Sequence, residues 1–184
     1  MDRQKEQLLI ASVRGGDEEA FAELFSHFYA SLCAYAYGVT RSRALAKDAV
    51  QDVFLKIWKG RENWYVNGSL NVYLLRAVRN QSLNIIKEKK GQVNVEDSHN
   101  IEKILHTMKI KQVGPKDVSR LVKRIWELAD EMPKRRKQVF TLHRLHGLSY
   151  QEIADFLEIE RKTVENHMAL ALQYLRDHIN RDLY

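Results

Sequence analysis

An all-α protein of two small helical domains joined by a linker is what this sequence predicts, and three observations predict it. Only 2 prolines and 8 glycines interrupt 184 residues, so few positions force a helix to stop. Apolar residues return every three or four positions over most of the chain, which is the period of an amphipathic helix. That period lapses once, over residues 92–115, where aromatics vanish and Asn94, Glu96, Asp97, Ser98, His99 and Asn100 form a polar tract. The predicted division is a first domain over 1–91, a linker over 92–115 and a second domain over 116–184.

In the first domain, Ala20, Phe21, Leu24, Phe25, Phe28, Leu32 and Ala36 give one stripe to a helix from Glu18 to Tyr37. A second helix, from about Ser42 to Lys59, buries Leu45, Ala49, Val50, Val53, Phe54, Ile57 and Trp58. Asp48, Gln51, Asp52 and Lys56 lie on its other side. Asn67-Gly68 marks a turn. Ser69 then caps a third helix running to about Lys90 and ended by Gly91. Its core face is Leu70, Tyr73, Leu74, Ala77 and Val78; Arg76, Asn80 and Lys87 share the opposing face, with Arg79 flanking. Within the linker, Ile101, Ile104, Leu105 and Met108 could form a helix too short to stand alone.

The second domain opens with Val118, Leu121, Val122, Ile125, Trp126 and Ala129 at helical spacing. Pro133 suits the first turn of the next helix, which carries Val139, Phe140, Leu142, His143 and Leu145 and ends at Gly147. Lys134, Arg135, Arg136 and Lys137 crowd its N-terminal turn, where the dipole disfavours cations by some tenths of a kcal/mol each. That choice suits a phosphate or an acidic partner, and equally a plain solvated cluster. Ser149 and Glu152 fit a capping box for a short helix that breaks at Glu158-Ile159-Glu160. A last helix starts near Arg161. Ala154 is small enough for a steep crossing, and Ile153, Leu157, Ile159 and Val164 are spaced to lock it, so the pair reads as a helix-turn-helix. Glu158 stands where such turns usually have glycine.

Charge narrows the function. The net charge is +6, and the surplus is concentrated between Arg61 and Lys111, where nine basic residues face five acidic ones. Arg76, Arg79, Lys87, Lys89 and Lys90 fall close together there, as a phosphate-binding stripe or a solvated helix face would require. Cys33 is the only cysteine, which excludes an intramolecular disulfide; its apolar surroundings suggest a buried structural thiol. The N-terminal residues lack a signal-peptide core and no stretch has the ~20 apolar residues of a membrane span, so the expected location is the cytoplasm, without membrane insertion.

In a helix-turn-helix the exposed start of the second helix faces the bases in the major groove. Here those residues are Arg161, Lys162, Thr163, Glu165 and Asn166, with His167 nearby. Arginine pairs bidentately with guanine, asparagine with adenine, and glutamate accepts from cytosine. The competing view has the two helices meeting for packing alone; the capping box together with a polar face argues for DNA.

The segments from Pro133 to Phe140, from Gly147 to Ala154 and from Thr163 to His167 resemble region four of bacterial sigma factors. Ala49-Val50-Gln51-Asp52-Val53-Phe54-Leu55-Lys56-Ile57-Trp58, then Tyr73-Leu74 and Ala77-Val78-Arg79-Asn80, resemble their region two. Both regions, in order and joined by a short linker, resemble the extracytoplasmic-function class. The resemblance implies that Asp48, Gln51, Asp52 and Lys56 dock on core RNA polymerase, although by residue type alone they are an ordinary solvated face. It implies that the loop from Arg61 to Gly68 and the third helix open and read the minus-ten element of promoter DNA. Trp64 and Tyr65 would supply stacking and Arg76, Arg79, Asn80 and Lys87 would hold the strand, with stacking contributing ~1–3 kcal/mol per base. A lone tryptophan is as readily a core residue. The recognition helix would read the minus-thirty-five element as duplex. An anti-sigma protein, frequently membrane-bound in the family, follows from the resemblance alone.

An enzyme finds little support. There is no glycine-rich phosphate loop, and His143 and His146 have no third ligand spaced with them, so no metal and no cofactor are expected. The remaining rival is a conventional helix-turn-helix regulator that acts without being a polymerase subunit.

Overall fold

Burial of the amphipathic stripes decides the architecture. The computed structural model describes residues 3–88 and 116–182 of the chain. The predicted linker, its short helix, Lys89, Lys90 and the Gly91 helix end lie outside the described residues. Eight α-helices form two compact units, one in each described stretch.

The first unit holds α1 (Arg3–Arg14), α2 (Glu18–Thr40), α3 (Arg43–Lys59), a 3-10 turn over Arg61–Asn63, and α4 (Leu70–Glu88). Asp17 starts α2 by accepting from the Glu19 and Ala20 amides at 2.9 and 3.0 Å, which satisfies two N–H groups the helix itself cannot. Ser42 caps α3 in the same way through the Leu45 amide. The α2 stripe Leu24, Phe28, Leu32 and Ala36 is buried, as the spacing predicts. On one flank of α3, Phe54 packs edge-on against Phe25 (4.9 Å) and Phe21 (6.1 Å) of α2. On the other, Leu45 and Ala49 join Ile85 of α4 in a common apolar cluster. Each leucine fully buried in this unit, such as Leu24, Leu32, Leu70, Leu74 and Leu75, stabilises it by about 1.5–3 kcal/mol relative to exposure.

Trp58, Tyr73 and Ala77 are half-buried where the spacing predicts core, and two further points differ from expectation. Helix α1 stands outside the predicted set, because only Leu9 and Val13 among its twelve residues are buried and the exposed Leu8 blurs their stripe. It is tied down by the Lys5–Glu23 pair at 3.1 Å and by Glu6, whose carboxylate accepts the Leu70 amide at the start of α4. Cys33 is half-buried rather than buried; even so, burial raises its thiol pKa.

The second unit contains α5 (Lys116–Glu131), α6 (Lys134–Arg144), α7 (Tyr150–Leu157) and α8 (Arg161–Asp182). Trp126 of α5 meets Phe140 of α6 edge-on at 5.6 Å. The corner between these helices is closed by Lys137 on Asp130 at 2.6 Å, so one member of the basic cluster is already committed to an internal carboxylate. The α8 stripe Val164, Met168, Ala171 and Leu175 is buried. Gly147 adopts a φ of +66°, open to glycine and costly to other residues, and the Leu148 amide returns to the Leu142 carbonyl at 3.1 Å. His143 Nδ1 bonds the Leu148 carbonyl at 2.8 Å, which fixes that same turn. No helix among the described residues is long and apolar enough to cross a membrane.

His146 sits in this turn, buried, and burial pushes its pKa down to about 4. The unfolded chain holds the ring at about 6.5, so below that value the unfolded state binds the proton and the folded state does not. Stability is therefore complete above about pH 6.5 and falls as the pH drops toward 4. We expect the second unit to lose about 2 kcal/mol between about pH 7 and pH 5 from this group, seen as a falling urea midpoint. His146→Phe should remove most of that slope; an unchanged slope would show that another group carries it.

Candidate nucleic-acid interface

Because α3 is covered by α2 on one flank and α4 on the other, only a strip of its surface stays outside. Asp48 and Gln51 are exposed on it and Asp52 is half-buried at its edge. On the same face lies Leu55, 50% exposed and its one large exposed apolar side chain. By its spacing Leu55 stands outside the core stripe, and an apolar residue on the polar side is the signal of a docking knob. Lys56, grouped with this strip from the sequence, turns away from it. Its ammonium donates to Gln81 Oε1 of α4 at 2.7 Å, and Gln81 Nε2 donates to Asp52 Oδ2 at 2.9 Å.

That turn brings Lys56 to the wall of a cavity of about 390 Å³ between α3, the 3-10 turn and α4. Asn63, Trp64, Tyr73, Asn80, Gln81 and Asn84 also line it. Four carboxamides, one ammonium and two aromatic rings around an apolar floor of Val53, Ile57 and Ala77 can hydrogen-bond the edge of a flat heteroaromatic group and cover its face. Of these residues the sequence points to Lys56, Trp64 and Asn80 as binding residues and to Tyr73 as core. Asn84 was within reach, four positions after Asn80 on the same helix face; Asn63, Tyr73 and Gln81 were not, because their convergence depends on the loop closing.

Of the two settings open to Trp64, its burial fits the core one. Its ring is 5% exposed and lies 6.2 Å from the Tyr73 ring, so it builds the cavity wall instead of standing out as a free stacking platform. The physical reason is the loop itself. The 3-10 turn and the positive φ of Gly68 (+88°) fold residues 61–68 back, and burying the large indole outweighs leaving it in water. Tyr65, next in the chain, is 65% exposed. Arg14 of α1 holds it, donating to the phenol oxygen at 2.7 Å with its guanidinium 4.1 Å from the ring centre. Arg14 is a further cation that no local pattern marks, since it lies fifty-one residues away from its partner.

Arg76, Arg79, Asn80 and Lys87 are all exposed on α4, as their spacing predicts. Arg79 lies beside Tyr35 of α2, whose hydroxyl burial pushes to about 12 while the guanidinium works in the opposite direction.

In the second unit the capping box is complete: Ser149 Oγ accepts the Glu152 amide at 3.2 Å, and the Glu152 carboxylate accepts the Ser149 amide at 2.8 Å. Ala154 and Ile153 are buried where α7 meets α8. Glu158 adopts φ 55° and ψ 49°, the left-handed turn that glycine usually serves, at a strain of about 1 kcal/mol. Arg161, Lys162, Glu165 and Asn166 are exposed and Thr163 and His167 half-buried at the start of α8. Arg161 Nε donates to Glu165 Oε1 at 2.9 Å, one turn apart.

The sequence profile described as Sigma-70 region 2 matches residues 24–91, and that described as Sigma-70, region 4 matches residues 123–175; together they span more than half of the chain. The chain is 25% identical over 182 residues to the ECF RNA polymerase sigma-E factor of Haemophilus influenzae, covering 95% of each protein. It is 22% identical over 179 residues to the ECF RNA polymerase sigma factor SigK of Mycobacterium tuberculosis, covering 92% of this chain and 90% of that one. Among solved structures, CnrH in complex with the cytosolic domain of CnrY shares the fold with a TM-score of 0.60, at 18% identity over 95% of this chain and 97% of that one. The sigma factor RpoE from Bartonella quintana, in complex with the anti-sigma factor NepR, gives 0.57 at 16% identity over 87% and 96%.

The different settings of the two loop aromatics lead to unequal mutational costs. Trp64→Ala should destabilise the first unit by about 3–5 kcal/mol, whereas Tyr65→Ala should cost under about 1 kcal/mol. Urea unfolding of each variant measures this, and equal costs would contradict the placement of Trp64 as a wall.

Proposed function

The chain belongs to the sigma-70 family as an extracytoplasmic-function RNA polymerase sigma factor, and from that premise we propose how its residues divide the work. The protein binds core RNA polymerase and directs promoter-specific initiation. In our reading, residues 1–91 hold the polymerase and the minus-ten element, 92–115 link, and 116–184 hold the minus-thirty-five element. The α3 strip of Asp48, Gln51, Leu55 and the edge of Asp52 meets the polymerase, with Leu55 as the apolar centre of a polar patch.

The cavity takes one unpaired base of the opened minus-ten strand. Carboxamides pair with base edges in two directions at once, and the Trp64 and Tyr73 rings supply apolar walls. Lys56 thus moves in this proposal from the polymerase side to the DNA side. Tyr65 with Arg14, then Arg76, Arg79 and Lys87, offer an exposed ring and cations along the path of the strand. In the second unit Arg161, Lys162, Thr163, Glu165, Asn166 and His167 read duplex bases in the major groove. Function is by binding, without catalysis, and in the cytoplasm where polymerase and DNA meet. An anti-sigma partner is supported by the resemblance and by a solved relative that is held by one.

The observation that carries this reading is the cavity of converging amides in one unit, in a chain whose other unit presents a capped helix-turn-helix. A conventional regulator acting without polymerase would leave the region 2 unit without a use. Reconstitution with core polymerase on a promoter library should give initiation at a defined sequence class. Tight duplex binding by the free protein, with no promoter used, would overturn the proposal. Arg161→Ala should cost about 1–3 kcal/mol of base discrimination at the upstream element and leave polymerase affinity unchanged. Equal loss of both would make Arg161 structural.

A further inference from the structure

Gln81 sits between two charged side chains that can each bond it in only one way. A carboxylate only accepts hydrogen bonds and an ammonium only donates them, so Asp52 must face the Nε2 group and Lys56 must face the oxygen. The observed contacts, 2.9 and 2.7 Å, obey that requirement. The amide therefore has a single permitted orientation, set from two residues of α3 one turn apart. Both bonds join α3 to α4 at the edge of the cavity, whose wall includes Gln81 and Lys56 and not Asp52.

Asp52 is half-buried: one side bonds Gln81 while the rest opens onto the α3 strip next to Asp48 and Gln51. A hydrogen-bond chain thus leads from the strip, through one carboxamide, to the ammonium in the cavity wall. We propose that Gln81 is a positioning residue that couples polymerase docking to base selection. A partner cation engaging Asp52 draws the carboxylate away from Nε2. The amide is then held from one side only and can turn, and an amide that turns its oxygen away leaves the Lys56 ammonium available to the base or phosphate in the cavity. Two states of one amide give the linkage its discrete element. The inference rests on the reading of the cavity as a base site and of the strip as a polymerase face.

The test is a double-mutant cycle in the full-length protein bound to core polymerase. Wild type, Asp52→Asn, Gln81→Met and the double variant are compared for binding to fluorescent single-stranded oligonucleotides that differ at one base of the minus-ten element. Asp52→Asn, though outside the cavity, should change the preference for the best base by about fivefold or more. In the Gln81→Met background the same substitution should have no further effect, because the path is already cut. Polymerase affinity, followed in parallel, should fall for Asp52→Asn and should not fall for Gln81→Met, which removes only the bond that competes for Asp52. Gln81→Glu gives a second route: its carboxylate holds the Lys56 ammonium more tightly than the amide does, so it should shift preference in the same direction as Asp52→Asn, which removes the charge a partner cation pulls on and leaves an acceptor for Nε2. If the wild-type complex shows no base preference, the underlying reading falls and this inference with it. If the wild type discriminates but the two single effects simply add, or Asp52→Asn leaves preference unchanged, this inference alone is overturned.

Discussion

The first unit depends on the double burial of α3. Phe54 and Trp58 lock one flank of the helix to α2 through Phe21 and Phe25, while Leu45 and Ala49 lock the other to α4 through Ile85. A helix held on two sides cannot rotate without exposing large apolar surface, so the register of every remaining side chain follows. Asp48, Gln51 and Leu55 are left outside, and Asp52 and Lys56 are left at the α4 border within reach of Gln81. The polymerase strip and the cavity are thus two products of one packing decision, and core substitutions at Val53 or Ile57 would disturb both.

The second unit solves a different problem with less core. Its short helix α7 has eight residues, too few to persist by propensity, and it is secured at both ends by local chemistry. The reciprocal Ser149–Glu152 bonds fix its entry, and the left-handed Glu158 fixes its exit into α8. Strain at Glu158 is offset by Ile153, Ala154 and Val164, which bury fully once the turn is made.

Much of this was legible in the sequence because it is local. The α2 and α3 stripes, the capping box and the exposed start of α8 all follow from periods of three and four or from a four-residue motif. What escaped depends on partners far along the chain. Lys56 lies at the margin of the α3 polar face, and its direction is decided by Gln81, twenty-five residues later. Trp64 is a wall because Tyr73 and the loop close over it, which no local period encodes. Helix α1 buries only Leu9 and Val13 and is retained by Glu6 reaching the start of α4. The short-range rules described the elements, and the site needed the contacts between them.

In the helix-turn-helix, support and exposure fall on different residues. Val164, Met168, Ala171 and Leu175 carry α8, while Arg161, Lys162, Glu165 and Asn166 face outward and brace nothing in the core; Arg161 and Glu165 bond each other. Rewriting those four codons would leave the fold's energetics nearly untouched while changing the pattern offered to DNA. Evolution, or a designer of orthogonal gene circuits, could therefore readdress such a protein to new sites without first rescuing its stability, and duplicated copies could diverge in address before they diverge in structure.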